Sequence, residues 1–519
     1  MNEAITDISE ETTRWERVKA SWAALSQRLI EHHPKPFLGV AIVVALIGYA
    51  VPLLFPVAML ALIFGFVTAP LEGGLAALQG QWITLSLLAL CVTFTVSLWR
   101  LRVGDPIGES LTAEQAPALF ALVDEIRSAF QAPVISDIHL SDDARLTVHR
   151  VPRTGYPFLF RHVLVAGMPT LQCLTLDQFK CLLAACVGEL SAVRTDVAGW
   201  ISQLARTWRQ YRAAVAGRWT PAALLYRVFL SGYAPLMTAL ADRLDGTHRL
   251  KRDHYALEVA SDDLVVEMIV GEVIMQRFLK EIYWPTVMAA AEHSATPNFK
   301  VFRNLEAVFR KRVNPDTVQT WVREAFVGKW RDNAGDPGLK ARLNEVGHGD
   351  VHYHSPQAVG AAQALFGASY QWLIDRCDVR WAGEHQEAWR SRHEKAQRQY
   401  SRLYTLRELL QRHGLRGGEA MEYAALVKRY GTPVEAMQAY ERILELNPED
   451  ARITFGVGKF MLSRKDVRGV ELLESAMRMD KRLVDPACRL ISGFAVEHKM
   501  QNAVRNQVSG DPKARLKIA

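Results

Sequence analysis

Chemistry-bearing residues gather at few places in this chain, and one stretch holds two of them. Residues 180–200, KCLLAACVGELSAVRTDVAGW, set Cys186 and Glu189 among small and apolar side chains. A glutamate so placed can act as a general base or as a metal ligand. It can equally be a partly buried carboxylate paired with a base such as Arg194 or Lys251, and that is the better reading, since buried acids are usually paired. Cys186 would need a histidine nearby to serve as a nucleophile, and no sequence neighbour supplies one. Further on, His348, His352 and His354 crowd the stretch HGDVHYH. Two of these imidazoles could share one face of an extended segment and bind metal. Their spacing matches no defined zinc motif, so a polar surface loop is expected. His393-Glu394 lacks a second histidine four residues on and lies in a charged helical stretch.

The elements that must position these residues begin with membrane segments. Residues 12–31 space Trp15, Val18, Trp22, Leu25 and Leu29 at three and four, the pattern of an amphipathic helix suited to a membrane surface. Phe37 to Thr68 carries no charge. As a helix it would be about 48 Å long, more than the ~30 Å hydrocarbon core requires. Pro52 and Pro56 lie inside it, so a kinked or tilted span is expected. Trp82 to Trp99 is a second uncharged run with tryptophan at both ends. Arg14, Arg17, Lys19, Arg28 and Lys35 precede the first run, Arg100 and Arg102 follow the second, and the 69–81 loop has no Lys or Arg. The positive-inside rule then places both termini and the bulk of the chain in the cytoplasm.

The rest of the chain reads as mainly α with a small sheet. LTAEQAPALFALVDEIRSAF from Leu111 is an amphipathic helix. Strands are expected at Asp137–Leu140, Arg145–His149 and His162–Ala166, then a turn at Gly167-Met168-Pro169. A helix starts at Leu176-Asp177, helices continue to about 330, and Pro337-Gly338 interrupts them. Residues 360–412 give two more helices. Beyond 415, Ala424, Ala436, Tyr440 and Pro448 take the small, small, aromatic and proline positions of a tetratricopeptide repeat, and Gly458, Gly469 and Leu473 repeat them 33 to 34 residues on.

The chain has 519 residues, a net charge of +7 and six cysteines without a C-x-x-C pair. The mild positive excess, without a basic run interleaved with aromatics, argues against nucleic acid. The cysteines read as buried free thiols in a reducing compartment. No signal peptide is expected, because the first 36 residues are charged and hold no early apolar core.

Four features in order resemble the HtpX-type membrane-bound zinc metallopeptidases, a family that includes the CAAX prenyl proteases. They are two N-terminal spans, an A-P-A-L helix start at Ala116–Leu119, a G-x-P turn at Gly167–Pro169, and L-x-x-L-T-L-D-Q-F from Leu171. The resemblance is closest to the subgroup that appends tetratricopeptide helices. It implies a zincin-like α+β domain over 105–345, after a segment at 1–36 and two transmembrane helices within 37–99. A helical connector would occupy 346–412 and a tetratricopeptide-like α-solenoid 415–505. It also implies zinc, held by H-E-x-x-H and a later glutamate. The motif window falls on Ala185, Cys186, Val187, Gly188 and Glu189, or on Gly188–Ala192, or on Val187–Ser191. None of these contains a histidine. Lys251 stands where the later glutamate should be, and a fixed cation there opposes a divalent metal. Asp336-Pro337-Gly338-Leu339 matches an H-P-x-L stretch without its histidine.

The expectation is therefore a catalytically inactive relative with no bound cofactor, anchored in a bacterial inner membrane. Its repeats would bind a protein partner or peptide at the cytoplasmic face. The alternatives are an active metal-dependent endopeptidase with a non-standard site, using Glu189, and a simple tetratricopeptide adaptor.

Overall fold

The computed structural model describes residues 34–73, 82–192, 197–332, 337–347 and 359–495. The amphipathic segment 12–31, most of the 69–81 loop, Arg194, Asp336 and His348, His352 and His354 lie outside these residues.

The long apolar run forms one helix, α1 (Pro34–Gly73), and the second run forms α2 (Trp82–Trp99). Neither has an acidic residue in its first turn or a basic one in its last. Phe55 of α1 stacks on Phe94 of α2 with ring centroids 4.6 Å apart. A short strand, β1 (Glu109–Leu111), leads to α3 (Pro117–Ala129). Proline in the first turn suits the free N–H positions there, and Leu119, Leu122, Val123 and Ile126 bury one face at three-and-four spacing.

Strands β2 (Ile135–Ser141), β3 (Leu146–Pro152) and β4 (Phe160–Gly167) complete a four-stranded sheet in the order β1-β2-β4-β3. β2 runs parallel to β4, with Ile138 opposite Leu164, and the other two pairings are antiparallel. Each expected strand is present and longer than its apolar kernel, while β1 has no signal in sequence. The expected turn at Gly167 is instead the start of a short helix, α4 (Met168–Cys173), with Pro169 in its first turn.

The helical remainder begins with α5 (Leu176–Ala192), α6 (Val197–Ala216), α7 (Pro221–Ala256) and α8 (Asp262–Phe278). A π-helical turn at Leu279–Tyr283 leads to α9 (Trp284–Ala289). Then come α10 (Val301–Arg312), α11 (Pro315–Phe326), α12 (Leu339–Glu345), α13 (Ala361–Phe366) and α14 (Tyr370–Arg412). Five helices close the described chain: α15 (Gly417–Tyr430), α16 (Pro433–Leu446), α17 (Ala451–Ser463), α18 (Arg468–Met479) and α19 (484–495).

Two spans are expected from sequence, but among the described residues three helices are long and apolar enough to cross a membrane: Leu38–Thr68, Trp82–Trp99 and Ala223–Ala241 within α7. The third window has a mean hydropathy of 1.3, against 2.5 for the first. Arg227, Pro235 and several tyrosines and small polar residues dilute it, which hides it from a search for uncharged runs.

The chain divides into two compact units. One comprises 1–287 with 298–384, the other 288–297 with 385–519. In the first unit, α1, α6 and α7 share a core with the end of α2. Trp208 lies at its centre, with the Tyr233 ring edge-on at 5.3 Å. The Tyr233 hydroxyl donates to the Val44 carbonyl at 2.8 Å. Gly48 makes this approach possible, because a Cβ there would meet that hydroxyl at 2.2 Å. All six cysteines are free, and only Cys488 is exposed.

Candidate functional site

Helix α5 is set by a reciprocal cap. The Gln178 backbone N–H donates to the Thr175 hydroxyl, and the Gln178 side chain accepts from the Thr175 N–H, both at 3.2 Å. From this start the helix runs inward, with Ala185 fully buried, Cys186 buried and Glu189 half-buried. The Cys186 thiol donates to the Leu146 carbonyl of β3 at 3.2 Å. Burial pushes this thiol up to about 12, and Glu189, Glu272 and Asp253 add to the effect while Arg252 opposes it. A thiol so disposed stays protonated and is not a nucleophile at neutral pH.

Gly188 fixes how close α5 comes to α7. A Cβ at this position would meet the Tyr255 Cβ at 2.4 Å. The helices therefore touch where one reading of the motif would demand an imidazole. Glu189 is engaged rather than free. Of the two partners suggested by sequence, Arg194 lies outside the described residues and so does the side chain of Lys251.

The interior beside α5 holds a group of four charges from three helices. Arg342 of α12 forks onto Asp253 of α7, with Nε–Oδ2 at 2.6 Å and Nη2–Oδ1 at 3.0 Å. The same Nη2 donates to Glu272 of α8 at 2.8 Å. Arg252 donates to Glu272 at 3.2 Å and lies 3.6 Å from Asp253. Asp253 is fully buried, Glu272 and Arg342 nearly so, and Arg252 keeps 22% of its side chain exposed. Two cations and two anions thus cancel, and the bidentate fork adds directionality to the charge balance.

The pKa directions agree with this geometry. Burial alone would raise the Glu272 carboxyl; Arg342 and Arg252 outweigh it and hold Glu272 below its ordinary value. Burial alone would lower both guanidiniums, yet Arg342, facing Asp253 and Glu272, and Arg252, facing Glu272 and Asp253, are both held above their usual value. Glu272, Arg342 and Arg252 are therefore charged near neutrality.

Zinc is bound by thiolates, neutral imidazoles and carboxylates free to coordinate. Here both interior carboxylates already accept from guanidiniums, and two fixed positive charges oppose a divalent ion. These residues do not fit a zinc ion. Among the described residues, no three His, Cys, Asp or Glu side chains converge to hold a metal.

No protein-family model matches the sequence, and searches of curated proteins and of solved structures find no significant match.

Sequence reasoning singles out Ala185, Cys186, Glu189 and Lys251, and it passes over Arg342 and Glu272. The stretch noted for its missing histidine, Pro337-Gly338-Leu339, turns out to launch α12. Gly338 there has φ +81, which suits glycine, and the helix that follows delivers Arg342. Glu272 could have been suspected from its place in the apolar run MIVGEVIM. His393 has a structural use, with its Nδ1 3.0 Å from the Ala291 carbonyl.

The second unit offers a different kind of surface. Ala424, Ala436 and Tyr440 are buried, and Tyr440 stacks on Phe460 with centroids 4.0 Å apart. Thr432 and Glu435 form a capping box that starts α16. α17 and α18 meet at two glycines, since a Cβ on Gly469 would lie 2.6 Å from the Gly458 carbonyl oxygen. Lys428 of α15 and Lys459 of α17 remain exposed.

Proposed function

We propose that this chain is a membrane-anchored, non-catalytic relative of the HtpX-like zinc metallopeptidases. It acts as a protein-binding scaffold at the cytoplasmic face of a bacterial inner membrane. The observation that carries the reading is the Arg342–Asp253–Glu272–Arg252 group. It occupies the interior beside α5 with charges that satisfy one another, so the carboxylates available there are committed to arginine. The close fit of Gly188 on Tyr255 supports it further, because no imidazole can be accommodated at that position. Helices α15 to α18, whose spacing matches tetratricopeptide repeats, supply the surface for a protein segment in the way stacked helix pairs do.

Metal analysis of the full chain purified in detergent tests the reading. Zinc well below one ion per chain is expected, with proteolysis of an unstructured substrate no faster than in Glu189→Gln. Stoichiometric zinc, together with proteolysis abolished by Glu189→Gln, would replace the scaffold with an unusual endopeptidase. For the binding surface, the expected outcome is that Lys428→Glu with Lys459→Glu releases a co-purifying protein.

A further inference from the structure

The first unit distributes its charge unevenly along the chain. Residues 36–71, 82–104, 144–176 and 197–241 contain no Asp or Glu, yet they carry eleven arginines. Arg145 and Arg161 find carboxylates elsewhere, on Asp332 and on Asp105 and Asp137. Five others gather where α2 ends. Arg218, at the tip of the α6–α7 hairpin, donates to the Arg102 carbonyl at 3.0 Å. Arg227 donates to the carbonyls of Arg218 at 2.6 Å and Val215 at 2.9 Å, and its guanidinium lies 5.4 Å from the Trp219 ring centre. Arg102 donates to the Arg153 carbonyl at 2.8 Å, and Arg100 follows Trp99 directly. Trp99 is 56% exposed and Trp219 80%.

The packing also gives the level of this cluster. Phe94 and Leu98 near the end of α2 line one cavity with Val51, Pro52 and Phe55 of α1 and with Leu225 and Tyr226 of α7. The earlier half of α1 therefore continues beyond the end of α2. There it is covered by α7, through Tyr233 on Val44 and a shared core with Ala41 and Ala45. α6 accompanies α7 along this half and exposes Arg206, Arg209 and Arg212. Hydrocarbon does not tolerate such a row of guanidiniums on a lipid-facing helix. A ~27 Å α2 fits the hydrocarbon core by itself, with Trp82 and Trp99 at its borders.

We propose that α7 does not cross the bilayer, and that the α6–α7 hairpin lies against its surface as a clamp for anionic phospholipid. Arg100, Arg102, Arg153, Arg218 and Arg227 hold headgroup phosphates, and Trp99 and Trp219 sit at headgroup depth. The surplus length of α1 is then the stem on which the hairpin is mounted. The occupant follows from charge: four exposed arginines and the half-buried Arg227, drawn from stretches that hold no Asp or Glu and bordering an apolar span, complement an anionic headgroup layer.

Two measurements on the full chain test this. First, Gly232→Cys in a Cys488→Ser background, spin-labelled and reconstituted into phosphatidylcholine–phosphatidylglycerol vesicles, reads the depth of α7. Gly232 has open space where its Cβ would be. Ready collision with a water-soluble nickel chelate is expected; shielding from nickel with high oxygen access would mean that α7 crosses, and would overturn the proposal. Second, native mass spectrometry in detergent compares retained phosphatidylglycerol with phosphatidylcholine at equal concentration. The expected preference is about fivefold per engaged arginine, so it falls about 25-fold in Arg102→Gln with Arg218→Gln and is kept in Arg102→Lys with Arg218→Lys. Equal retention of the two lipids by the unaltered chain overturns the proposal. So does an unchanged preference in a monodisperse glutamine variant, or displacement of the lipid by inorganic phosphate at the same concentration.

Discussion

The two halves of α7 solve the same problem in opposite ways. From Ala223 to Ala241 the helix meets α1 and α6 through an acid-free, aromatic-rich surface centred on Trp208, with the Tyr233 hydroxyl on the Val44 carbonyl as the polar detail. From Arg252 onward it meets α8 and α12 through four charges. Apolar contact is non-directional, so the first half can absorb small adjustments. The second half cannot, because each charge is tolerable only while its partners are in place. One helix thus carries a forgiving joint and an exacting one.

Removing Arg342 would break the exacting joint. Arg342→Ala leaves Asp253 and Glu272 buried with Arg252 alone, and an unfolding free energy lower by about 3–5 kcal/mol is expected in a urea titration of the detergent-solubilised chain. A loss under 1 kcal/mol would mean that water or a rearranged Arg252 already compensates. Acid should act on the same joint with a smaller effect. The Glu272 carboxyl has a folded-state pKa below its ordinary 4.5. Its stabilisation is complete above about pH 4.5 and is lost as pH falls through the depressed value. Thermal midpoints between pH 7 and pH 3 should therefore fall more steeply for the unaltered chain than for Glu272→Gln; parallel curves would remove Glu272 from the account. The smallest effect belongs to the forgiving joint. Tyr233→Phe deletes one hydroxyl bond to Val44 and keeps the ring, so a loss of about 1 kcal/mol is expected, and a loss as large as that of Arg342→Ala would erase the contrast.

The same contrast separates what the sequence discloses from what it conceals. Uncharged runs announce α1 and α2, and Gly167 marks the end of β4 to the residue. Spacing of small and aromatic residues finds the positions buried among α15 to α18, because that signal is local. The apolar window in α7 escapes notice since Arg227 and its polar neighbours lower its average. Glu189 draws attention as the sole acid between Asp177 and Asp196, yet the interior charges that meet one another are Asp253, Glu272 and Arg342. Their pairing depends on separations of 89 and 70 residues, which no periodicity encodes. Lys251 and Arg252 look equivalent in sequence, and only the fold assigns Arg252 to Glu272.

That separation of 89 residues is also a delay. A ribosome adding 5–20 residues per second needs roughly 4 to 18 s to pass from Asp253 to Arg342. Over the last 70 residues of that interval, once Glu272 is made, the two carboxylates have at most one of their two arginines, while α1, α2, the sheet and α5 to α7 are already synthesised. The ionic joint therefore cannot be completed until α12 has been synthesised, well after the membrane-spanning candidates α1 and α2.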